Sequence, residues 1–148
     1  MITLLKNTVF FVLAVFSTSL FAQVKPGIHQ IEKYVPLLTS KNVAVVGNHS
    51  SQFETPTGRI HLVDSLLRHE IRIVSVFAPE HGFRGKEDAG ATIEDEVDVK
   101  TGIPIVSLHG KNRKPTQEQL KHIDVVVFDI QDVGSRYYTF IYTLANCM

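Results

Sequence analysis

Four short runs of apolar, mostly β-branched residues set the frame for this chain: residues 42–47 (NVAVVG), 71–77 (IRIVSVF), 103–108 (IPIVSL) and 124–130 (DVVVFDI). Each is short for a helix and long enough for a strand, and such residues suit a pleated, covered surface. The last run is almost wholly apolar, which predicts a central strand covered on both faces. Helical character lies between the runs. Residues 59–70 carry Ile60, Val63, Leu66 and Leu67 at the spacing of one helix face. Pro115 and Thr116 open a short helix through His122, with Thr116 as N-cap. Strands alternating with helices predict right-handed βαβ units. The expected class is α/β, a Rossmann-like parallel sheet with flanking helices.

A length of 148 residues leaves room for about one domain. Fifteen Lys and Arg balance fifteen Asp and Glu, which argues against nucleic acid or an anionic membrane surface as the main partner. The one cysteine, Cys147, excludes an internal disulfide and a cysteine-cluster metal site. Residues 1–22 have the form of a cleaved secretory signal: Lys6, then the apolar stretch TVFFVLAVF over residues 8–16, then small residues at Ser19 and Ala22. That apolar core is short of the ~20 residues a bilayer span needs, so no stable membrane anchor is expected. The domain reading is signal peptide 1–22 and a Rossmann-like catalytic domain over 23–148. The run YYTFIYTLANCM at 137–148 ends without a helix stop signal, so the domain is expected to be incomplete and the chain to be the N-terminal part of a longer protein. Export across the inner membrane predicts a periplasmic location.

In open α/β sheets ligands bind beyond the carboxyl ends of the strands. The predicted exits are Asn48-His49-Ser50-Ser51, Pro79-Glu80-His81-Gly82-Phe83-Arg84-Gly85, His109-Gly110 and Asp129-Ile130-Gln131-Asp132-Val133-Gly134-Ser135-Arg136. No G-x-G-x-x-G follows a strand, and the Walker, G-x-S-x-G and H-E-x-x-H patterns are absent. Carboxylates remain. Glu80 with Asp129 or Asp132 stands at the ends of different strands, and strands lie ~4.8 Å apart, so a pair at the ~5–9.5 Å used in glycoside hydrolysis is attainable. One carboxyl of such a pair holds a proton while the other stays charged. Arg84 and Arg136 can keep a carboxylate ionised or bind an anionic group. Plain structural roles compete: Glu80 as a local cap, Asp129 as a partner of Arg136, and Tyr137, Tyr138, Phe140 and Tyr142 as packing between a helix and the sheet. Asp132, His81 and His109 form a weaker alternative as metal ligands.

Three further segments join these in order: Asp88-Ala89-Gly90, Thr101-Gly102-Ile103-Pro104, and Ser107-Leu108-His109-Gly110, followed by Phe128-Asp129-Ile130-Gln131-Asp132-Val133-Gly134-Ser135-Arg136-Tyr137-Tyr138-Thr139. Together with the P-E-H-G-F-R-G segment they resemble the exo-β-N-acetylmuramidase family of peptidoglycan-recycling glycoside hydrolases, from Gly27 to the end of the chain. The resemblance implies release of N-acetylmuramic acid from the non-reducing end of peptidoglycan fragments, in a cleft between this domain and a second one, without a cofactor. Glu80 then falls on the essential acid/base position, with Asp129 and Asp132 as candidates for the second catalytic group. Asn48, His81, Arg84, Gln131, Arg136 and Tyr138 fall on substrate-binding positions. The implied partners are a peptidoglycan-derived glycan or muropeptide and the second domain of the same protein. Ala78 and Ala91 depart from the family pattern, where glycine and an acidic residue are usual. A non-catalytic carbohydrate-binding domain and an inactive fragment of the enzyme are the competing readings.

Overall fold

The computed structural model describes residues 24–79, 82–85, 96–110 and 112–148. The predicted leader at 1–22, together with Glu80, His81 and the Asp88-Ala89-Gly90 segment, lies outside the described residues. A 3-10 turn (Gly27–His29) leads into α1 (Ile31–Leu38), β1 (Val43–Gly47), β2 (Gln52–Thr55), β3 (Gly58–His61) and α2 (Leu62–Arg68). Then follow β4 (Ile73–Ala78), β5 (Glu96–Val97), β6 (Pro104–Ser107), α3 (Gln117–Leu120), β7 (Val125–Asp129) and α4 (Phe140–Cys147). No helix of the described residues is long and apolar enough to cross a membrane.

The main sheet has the order β5-β6-β4-β1-β7. β1, β4, β6 and β7 run parallel, so the predicted α/β class with a Rossmann-like sheet is observed. Counted along the chain, these four strands stand in the order 3-2-1-4, which reverses between β1 and β7. A crevice for a ligand forms at such a reversal.

β1 explains why the sheet holds. All five of its residues are buried. Val43 and Val45 face the layer made by α1 and α2, with Leu62, Val63 and Leu66, while Ala44 and Val46 face the layer that includes Phe77, Leu108 and Phe140. Fully burying one such valine stabilises by roughly 1.5–3 kcal/mol. α3 is short but firmly started. The Thr116 hydroxyl accepts the Gln119 amide at 3.2 Å, and the Gln119 side chain accepts the Thr116 amide at 2.8 Å. Thr116 is therefore the N-cap the sequence predicts, inside a reciprocal capping box.

Four expectations are corrected. The strand of 124–130 is not central: β7 sits at the sheet edge and all five residues are only half-buried. An apolar run reports that its faces meet other groups, but not whether a neighbour pairs on each side. The helix expected over 59–70 begins at Leu62, because Gly58–His61 pairs antiparallel with Gln52–Thr55 as a hairpin. The sheet is not wholly parallel, since β5 pairs antiparallel with β6. Of the four aromatics expected to pack against the sheet, only Phe140 does so, while Tyr137, Tyr138 and Tyr142 are exposed.

Candidate active site

The β1 exit folds back over the reversal point. Gly47 stands opposite Asp129 across the β1–β7 ladder. The Ser51 hydroxyl donates to the Asp129 main-chain carbonyl and accepts the Asn48 amide at 3.2 Å. A Cβ on Gly47 would come within 2.8 Å of that hydroxyl, so glycine is needed for the turn to close. Asn48 is buried, and its side-chain oxygen accepts both the amide and the hydroxyl of Ser50, at 2.9 and 2.7 Å. That oxygen is spent on shaping the turn.

His61 ties this turn to the start of α2. One ring nitrogen, Nδ1, accepts the Val63 amide at 3.2 Å and caps the helix, while Nε2 lies 3.0 Å from the Asn48 carbonyl. Accepting at Nδ1 and donating at Nε2 requires the neutral ring. Burial pushes the imidazole below its ordinary pKa, against the opposing effect of the Asn48 carbonyl.

The described residues of the P-E-H-G-F-R-G segment form an anchor. Gly82 and Gly85 take positive φ angles of 69° and 70°. Between them Phe83 is buried and meets His61 edge-on, with ring centroids 4.6 Å apart. The Arg84 guanidinium lies 4.8 Å above the Phe83 ring and clamps two acids. It donates to Asp98 at 2.8 and 2.7 Å, and to Asp64 of α2 at 3.0 and 3.3 Å. Lys100 adds a 2.6 Å bond to Asp64, and the Thr101 hydroxyl donates to Asp98. Arg84 holds Asp98 down at a pKa of about 2, against the burial that would raise it. Burial would raise Asp64 also, but the bonds from Arg84 and Lys100 outweigh it and keep that carboxyl below its ordinary range. Gly85 presses on the β1 exit, where a Cβ would come within 2.8 Å of the His49 Cβ.

At the β7 exit the aspartates differ. Side chains alternate along a strand, so Asp129 continues the face of Val125 and Val127, toward α1. It lines a mostly apolar cavity of about 390 Å³ with Ile28, Tyr34, Leu38 and Leu62. Burial lifts its carboxyl above the usual range, more than the nearby Ser51 hydroxyl lowers it. Tyr34 is pushed up to about 12 by its own burial and then by the Asp129 charge. Asp132 is exposed and accepts the Gly134 amide at 2.8 Å, closing a small turn. Gln131, Arg136 and Tyr138 are exposed on the same segment.

A larger cavity of about 560 Å³ opens beyond the carboxyl ends of β4 and β6. Pro79, Leu108, His109, Arg113, Tyr142 and Asn146 contribute to its wall. Pro79 is the residue from which the chain passes into Glu80.

The structure therefore distributes the predicted residues over three places. Asn48 and Arg84 belong to the scaffold of the strand exits, and Asp129 occupies the cavity beside α1. Gln131, Asp132, Arg136 and Tyr138 follow β7 in the open. Glu80 and His81 fall outside the described residues. Pattern reasoning did not single out His61, Asp64, Asp98 or Arg113. Asp64 and Asp98 are 20 and 14 residues from Arg84 in the chain, beyond the reach of local periodicity. Among the described residues, no three His, Cys, Asp or Glu are grouped to hold a metal ion.

Residues 43–148 match the family described as exo-beta-N-acetylmuramidase NamZ, N-terminal. Over 116 residues the chain is 42% identical to the peptidoglycan beta-N-acetylmuramidase NamZ of Bacillus subtilis (strain 168), a match covering 78% of this chain and 27% of that protein. Two crystal structures of DUF1343 family proteins from Bacteroides fragilis NCTC 9343 share the fold, with TM-scores of 0.65 and 0.70 and 37% identity to each. They match 81% and 84% of this chain over 29% and 30% of their own lengths. The chain thus spans less than a third of the relatives it matches.

Proposed function

The chain belongs to the NamZ exo-β-N-acetylmuramidase family of peptidoglycan glycoside hydrolases, and from that premise we propose that it takes part in removing terminal N-acetylmuramic acid from the non-reducing end of peptidoglycan fragments. The observation that carries the proposal is the anchored F-R-G segment. Phe83, Arg84 and Gly85 are fixed against His61, Asp64, Asp98 and His49, and just upstream Pro79 forms part of the wall of the 560 Å³ cavity. A rigid support of this kind is what a catalytic carboxylate next to it in the chain requires.

In this reading Glu80 is the acid/base carboxylate, which protonates the glycosidic oxygen as the bond to the anomeric carbon breaks. From the other face of the sugar a second, ionised carboxylate either attacks the anomeric carbon, to be displaced later by water, or takes the proton of the water that attacks it. Two aspartates compete for that role. Asp129 is half-buried and lifted above the usual range, which favours its protonated form and weighs against it as the charged partner of Glu80. Asp132 is exposed, and the Gly134 amide fixes its carboxylate in the turn after β7. His81, Gln131, Arg136 and Tyr138 are proposed to contact the sugar, and Asn48 and Arg84 to shape and support the site. The second α/β domain implied by the family completes the cleft. Residues 1–22 direct export to the compartment that holds peptidoglycan, which a fusion of that segment to an export-dependent reporter checks.

The test is turnover of a chromogenic β-N-acetylmuramide by this chain and by the longest reading frame that contains it. Glu80→Gln should lower turnover about a hundredfold or more. A comparable loss in Asp129→Asn or Asp132→Asn identifies the second group. Unchanged turnover in Glu80→Gln overturns the acid/base assignment. Substrate binding without turnover in every form overturns the hydrolase reading and favours a carbohydrate-binding domain.

A further inference from the structure

The cavity beyond β4 and β6 has an uneven charge. Arg113 is the one Lys, Arg, Asp or Glu in its described lining. Arg113 forms no ion pair with any described residue. Its main chain is tied down nonetheless. The Asn146 amide of α4 donates to the Arg113 carbonyl at 3.1 Å, which joins the segment before α3 to the last turn of α4. Buried Thr143 in the middle of α4, whose hydroxyl bonds the Thr139 carbonyl at 3.3 Å, fixes the wall between them. The same cavity is lined by Tyr142, His109, Pro79 and Leu108.

These features describe a ligand. A volume of about 560 Å³ lies in the roughly 300–1,000 Å³ range of small-molecule sites. The ring and apolar surfaces suit one face of a pyranose, and the imidazole and side-chain amide suit its hydroxyl and amide groups. A guanidinium without an ion pair among the described residues suits a carboxylate, which it can bind through two parallel N–H bonds. N-acetylmuramic acid differs from N-acetylglucosamine by a lactyl ether that ends in a carboxylate. Resting on the glycosidase reading for the identity of the sugar, we infer that Arg113 is the specificity-determining residue of this cavity. It pairs with the lactyl carboxylate and so selects the acidic sugar over the neutral one.

The experiment uses three free sugars as probes: N-acetylmuramic acid, its lactyl methyl ester and N-acetylglucosamine. Each is titrated by NMR into the full chain and into Arg113→Ala and Arg113→Lys variants, with turnover of the matching aryl β-glycosides measured in parallel. Arg113 is exposed, so both variants should keep the parent's thermal midpoint. The parent should bind the acid about tenfold or more tighter than either neutral sugar. Arg113→Ala should bind all three alike, and Arg113→Lys should keep part of the preference, since an ammonium supplies the charge without the fork.

Equal binding of acid and ester by the parent overturns the inference. Undiminished preference in Arg113→Ala overturns it too, as does the lack of a saturable response to the acid. The two readings separate cleanly. Turnover in the parent without an Arg113-dependent preference leaves the glycosidase standing and removes this subsite. Arg113-dependent binding of the acid, with no turnover of any glycoside, does the reverse.

Discussion

Replacing Arg84 with alanine takes four hydrogen bonds from two buried carboxylates at once. Asp98 loses bonds of 2.8 and 2.7 Å and keeps the Thr101 hydroxyl, while Asp64 loses bonds of 3.0 and 3.3 Å and keeps Lys100 at 2.6 Å. Removing one member of a buried ion pair costs ~3–5 kcal/mol, because the remaining charge stays out of water. Here Lys100 and Thr101 compensate in part, and the Arg84 side chain is itself 23% exposed, so about 2–4 kcal/mol is expected. Urea unfolding of parent and variant across pH reads this directly. The Asp98 contribution has a defined sign. Its folded pKa of about 2 lies below the ordinary 3.8, so the folded state binds the proton less readily than the unfolded one. That stabilisation is complete above about pH 3.8 and is lost as pH falls through 2, about 2 kcal/mol in all. The deficit of Arg84→Ala should therefore be largest near neutrality and shrink in acid, with Arg84→Lys in between. A deficit under ~0.5 kcal/mol at pH 7, or one independent of pH, refutes the clamp.

Three other outcomes follow from neighbouring geometry. Gly85→Ala combines a φ of 70° with a Cβ only 2.8 Å from that of His49, and should cost about 2 kcal/mol or more. Gly102→Ala, with a φ of 72° but open space around it, should cost about 1 kcal/mol; equal losses in the two contradict the close approach. His61 is held below its ordinary pKa, so the folded state resists protonation and the parent loses stability as pH falls below about 6.5. His61→Asn should cost roughly 1–2 kcal/mol at pH 7 and flatten that acid limb, which thermal melts across pH 5–8 would detect. Asp129 is raised by burial, so the parent's stability falls as pH rises through the carboxylate range. Asp129→Asn should be more stable than the parent at pH 7 by roughly 1 kcal/mol, and not at pH 3. A destabilised Asp129→Asn at pH 7 would show the charge to be favourable where it sits.

The parallel sheet was legible because its strands announce themselves. The run of 42–47 is apolar at every residue but its first and last, and β1 is buried at every residue. The same cue misled at β7, since a strand can touch protein on both faces and still have no pairing partner along one edge. The β2–β3 hairpin was hidden by coincidence of spacing. Ile60 precedes Val63 by three residues, which extends the helical period backward into a strand whose own buried residues are only Ile60 and His61. At the site, the strand exits could be named because chemistry in such sheets gathers there. Which polar groups are free and which are spent was not legible. The Asn48 oxygen closes a turn and Arg84 is held by acids distant in the chain. Arg113 stands on no strand exit, and it joins the wall only because α4 folds back across the β6 exit.

The central claim concerns which bond is broken, and product analysis addresses it most directly. A defined peptidoglycan oligosaccharide with N-acetylmuramic acid at its non-reducing end, incubated with the longest product of this reading frame, would be resolved by mass spectrometry. The account predicts free N-acetylmuramic acid and a chain shortened by that one sugar, with neither product from Glu80→Gln. Release of N-acetylglucosamine, cleavage inside the chain, or equal release by Glu80→Gln would contradict it.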